Sequence, residues 1–116
     1  DNAILSQCEC VSCQGKCLAM LIRNGRLYMV FSLTTLTGST ALAIGTWYHV
    51  AYVYDYSSRT QYVYVQGVLD GTQSSSDPYQ GQNGSLLIGN SNLTSSFFDG
   101  LIDALAITTK AKTATE

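Results

Sequence analysis

Residues 42–71, LAIGTWYHVAYVYDYSSRTQYVYVQGVLDG, decide the fold. Residues 47–54 hold Trp47, Tyr48, Tyr52 and Tyr54 with Val50 and Val53, and only Ala51 among them favours a helix. Aromatic and β-branched side chains of this kind suit a pleated, half-buried surface. Residues 55–60 (Asp55, Tyr56, Ser57, Ser58, Arg59, Thr60) form a polar loop rich in turn formers. In residues 61–66 the tyrosines Tyr62 and Tyr64 alternate with Val63 and Val65, the period-two pattern of a strand. The stretch therefore predicts two long strands joined by a short loop, with a tight turn after the second.

Upstream, the sequence CLAMLIR–Asn24–Gly25–RLYMVFS carries a strong hairpin signal. Asn-Gly between apolar runs favours a type I′ turn, in which both central residues take positive φ. That turn fixes the register: Arg23 opposes Arg26, Ile22 opposes Leu27, Met20 opposes Met29 and Leu18 opposes Phe31. One face is then wholly apolar (Leu18, Met20, Ile22, Leu27, Met29, Phe31) and is expected to face the core. The other face mixes Cys17, Ala19, Leu21, Arg23, Arg26, Tyr28, Val30 and Ser32, so it is expected to be partly covered too. Arg23 and Arg26 form a like-charged pair at the tip, expected to be solvated.

Residues 1–7 read as a strand, 33–39 as a Thr-rich connection, 40–44 as a short strand and 68–71 as another. Residues 72–82 form a polar loop, 85–89 (SLLIG) a strand, and 90–96 a loop. Residues 97–107 (FFDGLIDALAI) are expected to form a strand with a glycine break, and 108–116 a polar tail. No amphipathic helix of useful length appears, which predicts an all-β domain of antiparallel hairpins.

At 116 residues the chain is a single domain with room for one core. Charged residues make up 12%, about half the usual share of ~25%, and the net charge is −2. The basic residues are scattered and form no stripe, which argues against nucleic-acid binding. The longest apolar run, residues 17–22, is too short to span a bilayer. No charged segment precedes an apolar one at the start, so the chain is expected to be a mature or excised segment.

Cys8, Cys10, Cys13 and Cys17 are separated by one, two and three residues. Structural zinc sites use two knuckles further apart, so two disulfides are favoured over a metal site. The nested pairing Cys8–Cys17 with Cys10–Cys13 needs only a hairpin and is preferred; the other two connectivities stay open. Each crosslink closes a short loop and contributes ~2–3 kcal/mol at most. Asn83-Gly-Ser and Asn92-Leu-Thr are N-glycosylation acceptor patterns in expected loops on either side of SLLIG. Ser74, Ser75 and Ser76 offer O-linked attachment on weaker grounds. Clustered cysteines and paired sequons together predict a secreted, extracellular protein.

The order of motifs resembles the laminin-G-like, concanavalin A-like jelly-roll superfamily. Gly45–Trp47–His49–Val50–Ala51, the turn at Tyr64–Gly67, Leu86–Ile88–Gly89 and Phe98–Gly100–Ile102–Asp103 stand in that family's sequence order. The likeness covers residues 40–116 by motif and 3–32 by pattern alone. It implies an antiparallel jelly-roll β-sandwich in which residues 40–107 form the core after the 18–32 hairpin, and in which Trp47 and His49 are structural. Gln66 stands where the family has Asn, which is expected to loosen that turn. Family domains begin with further strands, so this chain is expected to lack the opening strands, supplied by preceding sequence or by another subunit.

The superfamily includes glucanases, which makes catalysis a question. A retaining glycosidase needs two carboxylates held a few ångström apart. The only glutamates are Glu9, inside the cysteine cluster, and Glu116, and Asp99 and Asp103 would lie apart along one strand. The single histidine, His49, lies within the structural motif. No catalytic residue is assigned, and the domain is expected not to be an enzyme. The resemblance implies possible calcium binding, but Asp55, Asp70, Asp77, Asp99 and Asp103 are dispersed, so no metal ligand or other cofactor is assigned. Tyr56, Arg59 and Tyr79 are the candidate ligand-binding residues, because sugar rings stack on exposed aromatic faces, with Tyr28 as a further mixed-face tyrosine. The expected function is a non-enzymatic module for adhesion or for binding a glycan or an extracellular protein. The alternative is a structural subunit of a glycosylated extracellular fibre, a homo-oligomer completed by strands of another chain.

Overall fold

The Asn24-Gly25 turn takes the mirror-image form: φ is +52° at Asn24 and +74° at Gly25. The computed structural model describes residues 1–9, 17–31, 34–76, 78, 83–91 and 96–112. Ten strands are present among them: β1 (Asn2–Cys8), β2 (Cys17–Arg23), β3 (Arg26–Phe31), β4 (Thr34–Thr37) and β5 (Val50–Asp55), followed by β6 (Thr60–Val65), β7 (Val68–Gln73), β8 (Leu86–Ile88), β9 (Asn90–Ser91) and β10 (Ser96–Phe97). They form a five-stranded sheet ordered β4-β3-β2-β1-β8, a three-stranded sheet ordered β5-β6-β7, and a two-stranded β9–β10 ribbon. Every pairing is antiparallel. The architecture is a two-sheet antiparallel sandwich of the jelly-roll type.

The β2–β3 register is the one the turn dictates, from Arg23 opposite Arg26 to Leu18 opposite Phe31. Leu27, Met29 and Phe31 are consequently buried with Leu36 of β4 against Val63 and Val65 of β6. Leu18, Met20, Ile22, Val50, Tyr52 and Tyr54 close the sides of this core. Burying each large apolar side chain contributes about 1.5–3 kcal/mol. Phe31 meets Tyr54 edge-on with ring centroids 4.7 Å apart, and the Tyr52 hydroxyl donates to Leu21 O at 2.9 Å. Those two contacts tie β5 to the larger sheet. The opposite face of the large sheet is also covered, as its composition suggests: Ala3, Ala19, Leu21 and Val30 form a second buried cluster with Tyr28 beside it.

Several expectations at the ends of elements are corrected. Residues 40–44 do not form a strand. Residues 34–37, expected as a connection, pair with β3 instead, and the chain then skirts the hairpin tip through single hydrogen bonds. Gly38 N donates to Leu27 O at 2.8 Å and Leu42 N to Gly25 O at 2.7 Å. The strand expected from Trp47 begins only at Val50. Its ladder partner β6 ends at Val65, opposite Val50, so residues 47–49 have no strand to lie against. Residues 90–91, expected in a loop, pair as β9 with β10. The strand expected over 97–107 stops at Phe97; beyond it Gly100 takes φ +153° and Ala104 φ +53°, both breaking an extended run. The tip arginines are paired rather than simply solvated. Arg23 forms a two-point ion pair with Asp1 (3.0 and 2.8 Å) and covers the Tyr28 ring, while Arg26 donates to Ser39 O.

Two buried polar side chains stand out. Asp70 of β7 accepts from Thr40 N (3.0 Å) and from the hydroxyls of Ser39 and Thr40, which fastens the link between the two sheets. Its Oδ2 is buried without a hydrogen bond, and a Cβ on Gly38 would collide with that oxygen and displace the Asp70 carboxylate. Gln61 shares the inward face of β6 with Val63 and Val65, is fully buried, and has neither amide atom paired. An unpaired buried amide costs about 1–3 kcal/mol. Gln61→Met keeps the volume and removes that cost, so chemical denaturation should show a stabilised protein, by about 1–3 kcal/mol. A lowered midpoint would show that the amide is held by internal water.

The same burial argument applies to Tyr52. Its hydroxyl is pushed above the ordinary 10.0 by burial, and a backbone hydrogen bond at Tyr28 offsets only part of that. Because the folded state holds this proton more tightly than the unfolded chain, stability is intact below about pH 10 and falls as the pH rises above it. Tyr52→Phe should flatten that alkaline loss in thermal melts and cost about 1 kcal/mol at neutral pH through the lost hydrogen bond.

Candidate functional site

The most organised surface feature among the described residues is the β5–β6 turn. Asp55 ends β5 and folds the chain back as an Asx turn, its Oδ1 accepting from Ser57 N at 3.1 Å and from the Ser57 hydroxyl at 2.8 Å. Its Oδ2 accepts from the Ser58 hydroxyl at 3.0 Å. The hydroxyls of Ser57 and then Ser58 hold the Asp55 carboxyl below its ordinary 3.8. Across the turn, Arg59 N donates to Tyr56 O at 3.3 Å, and Arg59 O accepts from Ser76 N at 2.8 Å. Arg59 is thereby held at φ +53°, a left-handed conformation costing a non-glycine residue about 1–2 kcal/mol.

This backbone places two side chains together. The Arg59 guanidinium lies 4.2 Å over the centroid of the Tyr56 ring. Tyr56 is 56% exposed, and the edge-on contact of its ring with Tyr54 (6.4 Å) continues through Tyr54 to Phe31 of the core. The chemistry on offer is a fixed aromatic face beside a planar cation with several N–H donors. No salt bridge joins Arg59 to a described acid, since the Asp55 carboxylate is committed to the turn serines.

The other sequence candidates separate. Cys8 and Cys17 stand opposite each other across β1 and β2 and form a disulfide, their Cα atoms 4.1 Å apart. Cys10 and Cys13 lie outside the described residues, as do Tyr79, Asn92, Asp77 and Glu116. Asn83 is exposed, and the following Gly84 accepts a hydrogen bond from Gln7 Nε2 (2.8 Å) with no room for a Cβ against Cys8. Ser76 is a poor attachment point for sugar, because it is buried and its hydroxyl donates to Gln73 O. Trp47 is 62% exposed rather than part of the core, and the His49 side chain is exposed too. What matters structurally at His49 is its backbone, whose N–H donates to Gln66 Oε1 and whose carbonyl accepts from Gln66 N, both at 2.8 Å. Gln66 therefore latches the turn it was expected to loosen, and takes φ +53° itself.

Among the described residues no three acidic, histidine or cysteine side chains converge to hold a metal ion. Asp55 is engaged by serines, Asp70 by the 39–40 link, Asp1 by Arg23, and Asp103 by the amide of Ala104. The described acids do not fit a calcium site, and no role is assigned to that ion. The sequence missed the two serine clamps and the Ser76 tie. Asp-x-Ser-Ser after a strand was the available signal for the former; the latter joins residues 17 apart and had none.

The chain belongs to the Concanavalin A-like lectin/glucanases superfamily, in its laminin-G branch, whose family model matches residues 9–116. Domains of this branch are in general carbohydrate- or protein-binding modules without catalysis, and typically extracellular. No curated protein and no solved structure matches the chain.

The depressed Asp55 titration provides a check on the turn. A carboxyl whose folded value lies below 3.8 contributes stability above that pH and loses it as the pH falls through the folded value. Carboxyl-carbon NMR should place the Asp55 midpoint below 3.8, and Ser57→Ala with Ser58→Ala should return it to the ordinary range. An unshifted midpoint in the parent chain would show that the serine clamps do not hold in solution.

Proposed function

We propose that this domain is a non-enzymatic binding module of an extracellular protein, and that it takes a glycan bearing an anionic group at the Tyr56–Arg59 turn. The observation that carries this reading is the Arg59 guanidinium stacked 4.2 Å over the exposed Tyr56 ring. A saccharide presents an apolar C–H face to an aromatic ring, and a carboxylate or sulfate on it can accept two parallel N–H bonds from arginine. The turn is also preorganised: four hydrogen bonds involving Asp55, Ser57, Ser58 and Ser76 fix it before any ligand arrives. The left-handed Arg59 is local strain retained at a half-buried position outside the two core clusters. The Cys8–Cys17 disulfide and the exposed Asn83 acceptor support an extracellular setting. Membership of the superfamily supports carbohydrate binding in general.

A glycan array followed by calorimetry on the best acidic oligosaccharide tests the reading. Tyr56→Ala and Arg59→Ala should each weaken binding by about tenfold or more, and Arg59→Lys should recover only part of it. Binding that ignores all three substitutions would move the site elsewhere. Binding of neutral and acidic sugars alike would remove the role given to Arg59. The second reading, a structural subunit that associates with other copies, is favoured by one specific observation. Residues 97–107 carry large apolar side chains in the open: Phe97, Leu101, Ile102, Leu105 and Ile107 are all exposed.

A further inference from the structure

β8 (Leu86–Ile88) is the outermost strand of the larger sheet, with β1 on one side and, among the described residues, no strand on the other. Leu86 is 44% exposed and Ile88 57%. An open strand edge flanked by exposed aliphatic side chains is a template for pairing with another chain, and natural edges are blunted by charges, by proline or by a cover. Residues 83–96, NGSLLIGNSNLTSS, contain no charged residue and no proline. A cover is the device that remains.

The acceptor pattern Asn83-Gly84-Ser85 stands directly before this strand. Asn83 and Ser85 are exposed, and among the described residues neither side chain has a hydrogen-bond partner. Gly84 between them is fixed. Its carbonyl accepts from Gln7 Nε2 at 2.8 Å, and a Cβ on it would collide with the Cys8 backbone. The acceptor is thus held at the corner where β1 ends and β8 begins, with its reactive amide turned loose. Three residues of chain lead from Asn83 to Leu86, about 10 Å at full extension, so an oligosaccharide on Asn83 sweeps the space beside the β8 edge. A hydrated, uncharged polymer there excludes a second strand and disturbs no buried contact.

We propose that Asn83 carries an N-linked oligosaccharide and that this glycan guards the β8 edge against pairing with other chains. The transfer forms a bond between C1 of the first sugar and the Asn83 side-chain nitrogen. It breaks the bond between that C1 and a phosphate oxygen of a lipid-pyrophosphate oligosaccharide donor; the nitrogen gives up one proton and the lipid pyrophosphate leaves. The Ser85 hydroxyl is the second recognition element of the acceptor. The inference rests on the extracellular reading above and not on the Tyr56–Arg59 site. The test uses the chain secreted from a eukaryotic host, with Asn92→Gln throughout so that Asn83 is reported alone. Peptide mapping by mass spectrometry should find sugar on Asn83, lost in Asn83→Gln and in Ser85→Ala and kept in Ser85→Thr. Both unglycosylated variants should gain light scattering several-fold faster than the parent at equal concentration, with an unchanged thermal midpoint. Ile88→Lys, which puts a charge on the edge, should return Asn83→Gln to the parent's rate. A folded, secreted chain with a bare Asn83 overturns the inference and leaves the extracellular reading standing. A glycosylated parent that scatters as fast as Asn83→Gln overturns the guarding role, and so does a failure of Ile88→Lys to rescue.

Discussion

The register of the β2–β3 hairpin is the constraint on which the sandwich depends. Side chains alternate across a strand, so a slip of one residue would exchange the face bearing Met29 and Phe31 for the one bearing Tyr28 and Val30. The type I′ turn at Asn24-Gly25 removes that freedom, because a two-residue loop with both φ values positive admits one pairing. The core against Val63 and Val65 follows from it, as does the position of β4, whose Leu36 pairs with Met29 and completes the buried cluster. The connection out of β4 is then fixed by Asp70, reaching from the smaller sheet to hold Ser39 and Thr40. A local turn preference is thereby converted into the relative placement of two sheets.

That chain of dependence explains which features were legible in the sequence. Turn chemistry and period-two patterning are local, so the β2–β3 register, the β5–β6 and β6–β7 hairpins and the apolar face were all readable from composition and spacing. Strand ends were not, because an end is set by where the partner stops. Trp47 and Tyr48 have strand-like character, yet lie outside β5 because β6 turns away at Gln66. Thr34 to Thr37 looked like linker and became β4, because the exposed side of β3 offered them backbone partners. For the candidate site the residue types Tyr56 and Arg59 were identified from exposure on an expected loop. Their stacking, and the Ser76 contact that holds Arg59, are tertiary and left no trace in spacing.

Backbone strain separates the regions of the chain more sharply than burial does. Among the described residues, five non-glycine ones have positive φ: Asn24, Arg59, Gln66, Ser75 and Ala104. Asn24 and Gln66 sit in two-residue hairpin turns that demand it, and Gln66 recovers the cost through its hydrogen bonds with His49. Ser75 directly precedes Ser76, whose amide and hydroxyl are both anchored. Those three are explained by the fold. At Arg59 the backbone is clamped on both sides, and the strain holds a guanidinium over an exposed ring. At Ala104 no neighbouring element holds the conformation, and the strain accompanies exposed aliphatic side chains.

Where local preference and global fold disagree in a natural sequence, function or assembly is the usual reason for the disagreement to persist. The unpaired amide of Gln61 and the bare Oδ2 of Asp70 are disagreements of a different sort, buried and paid for by the surrounding core. Arg59 is half-buried and Ala104 exposed, and glycine or asparagine would relieve the backbone at either position. At Arg59 the retained group is a cation; at Ala104 it is a methyl in a run of strand-like composition that belongs to no sheet. The first supports the reading of the turn as a site for an anionic ligand. The sandwich supplies that turn with its rigid base through Tyr54 and Phe31.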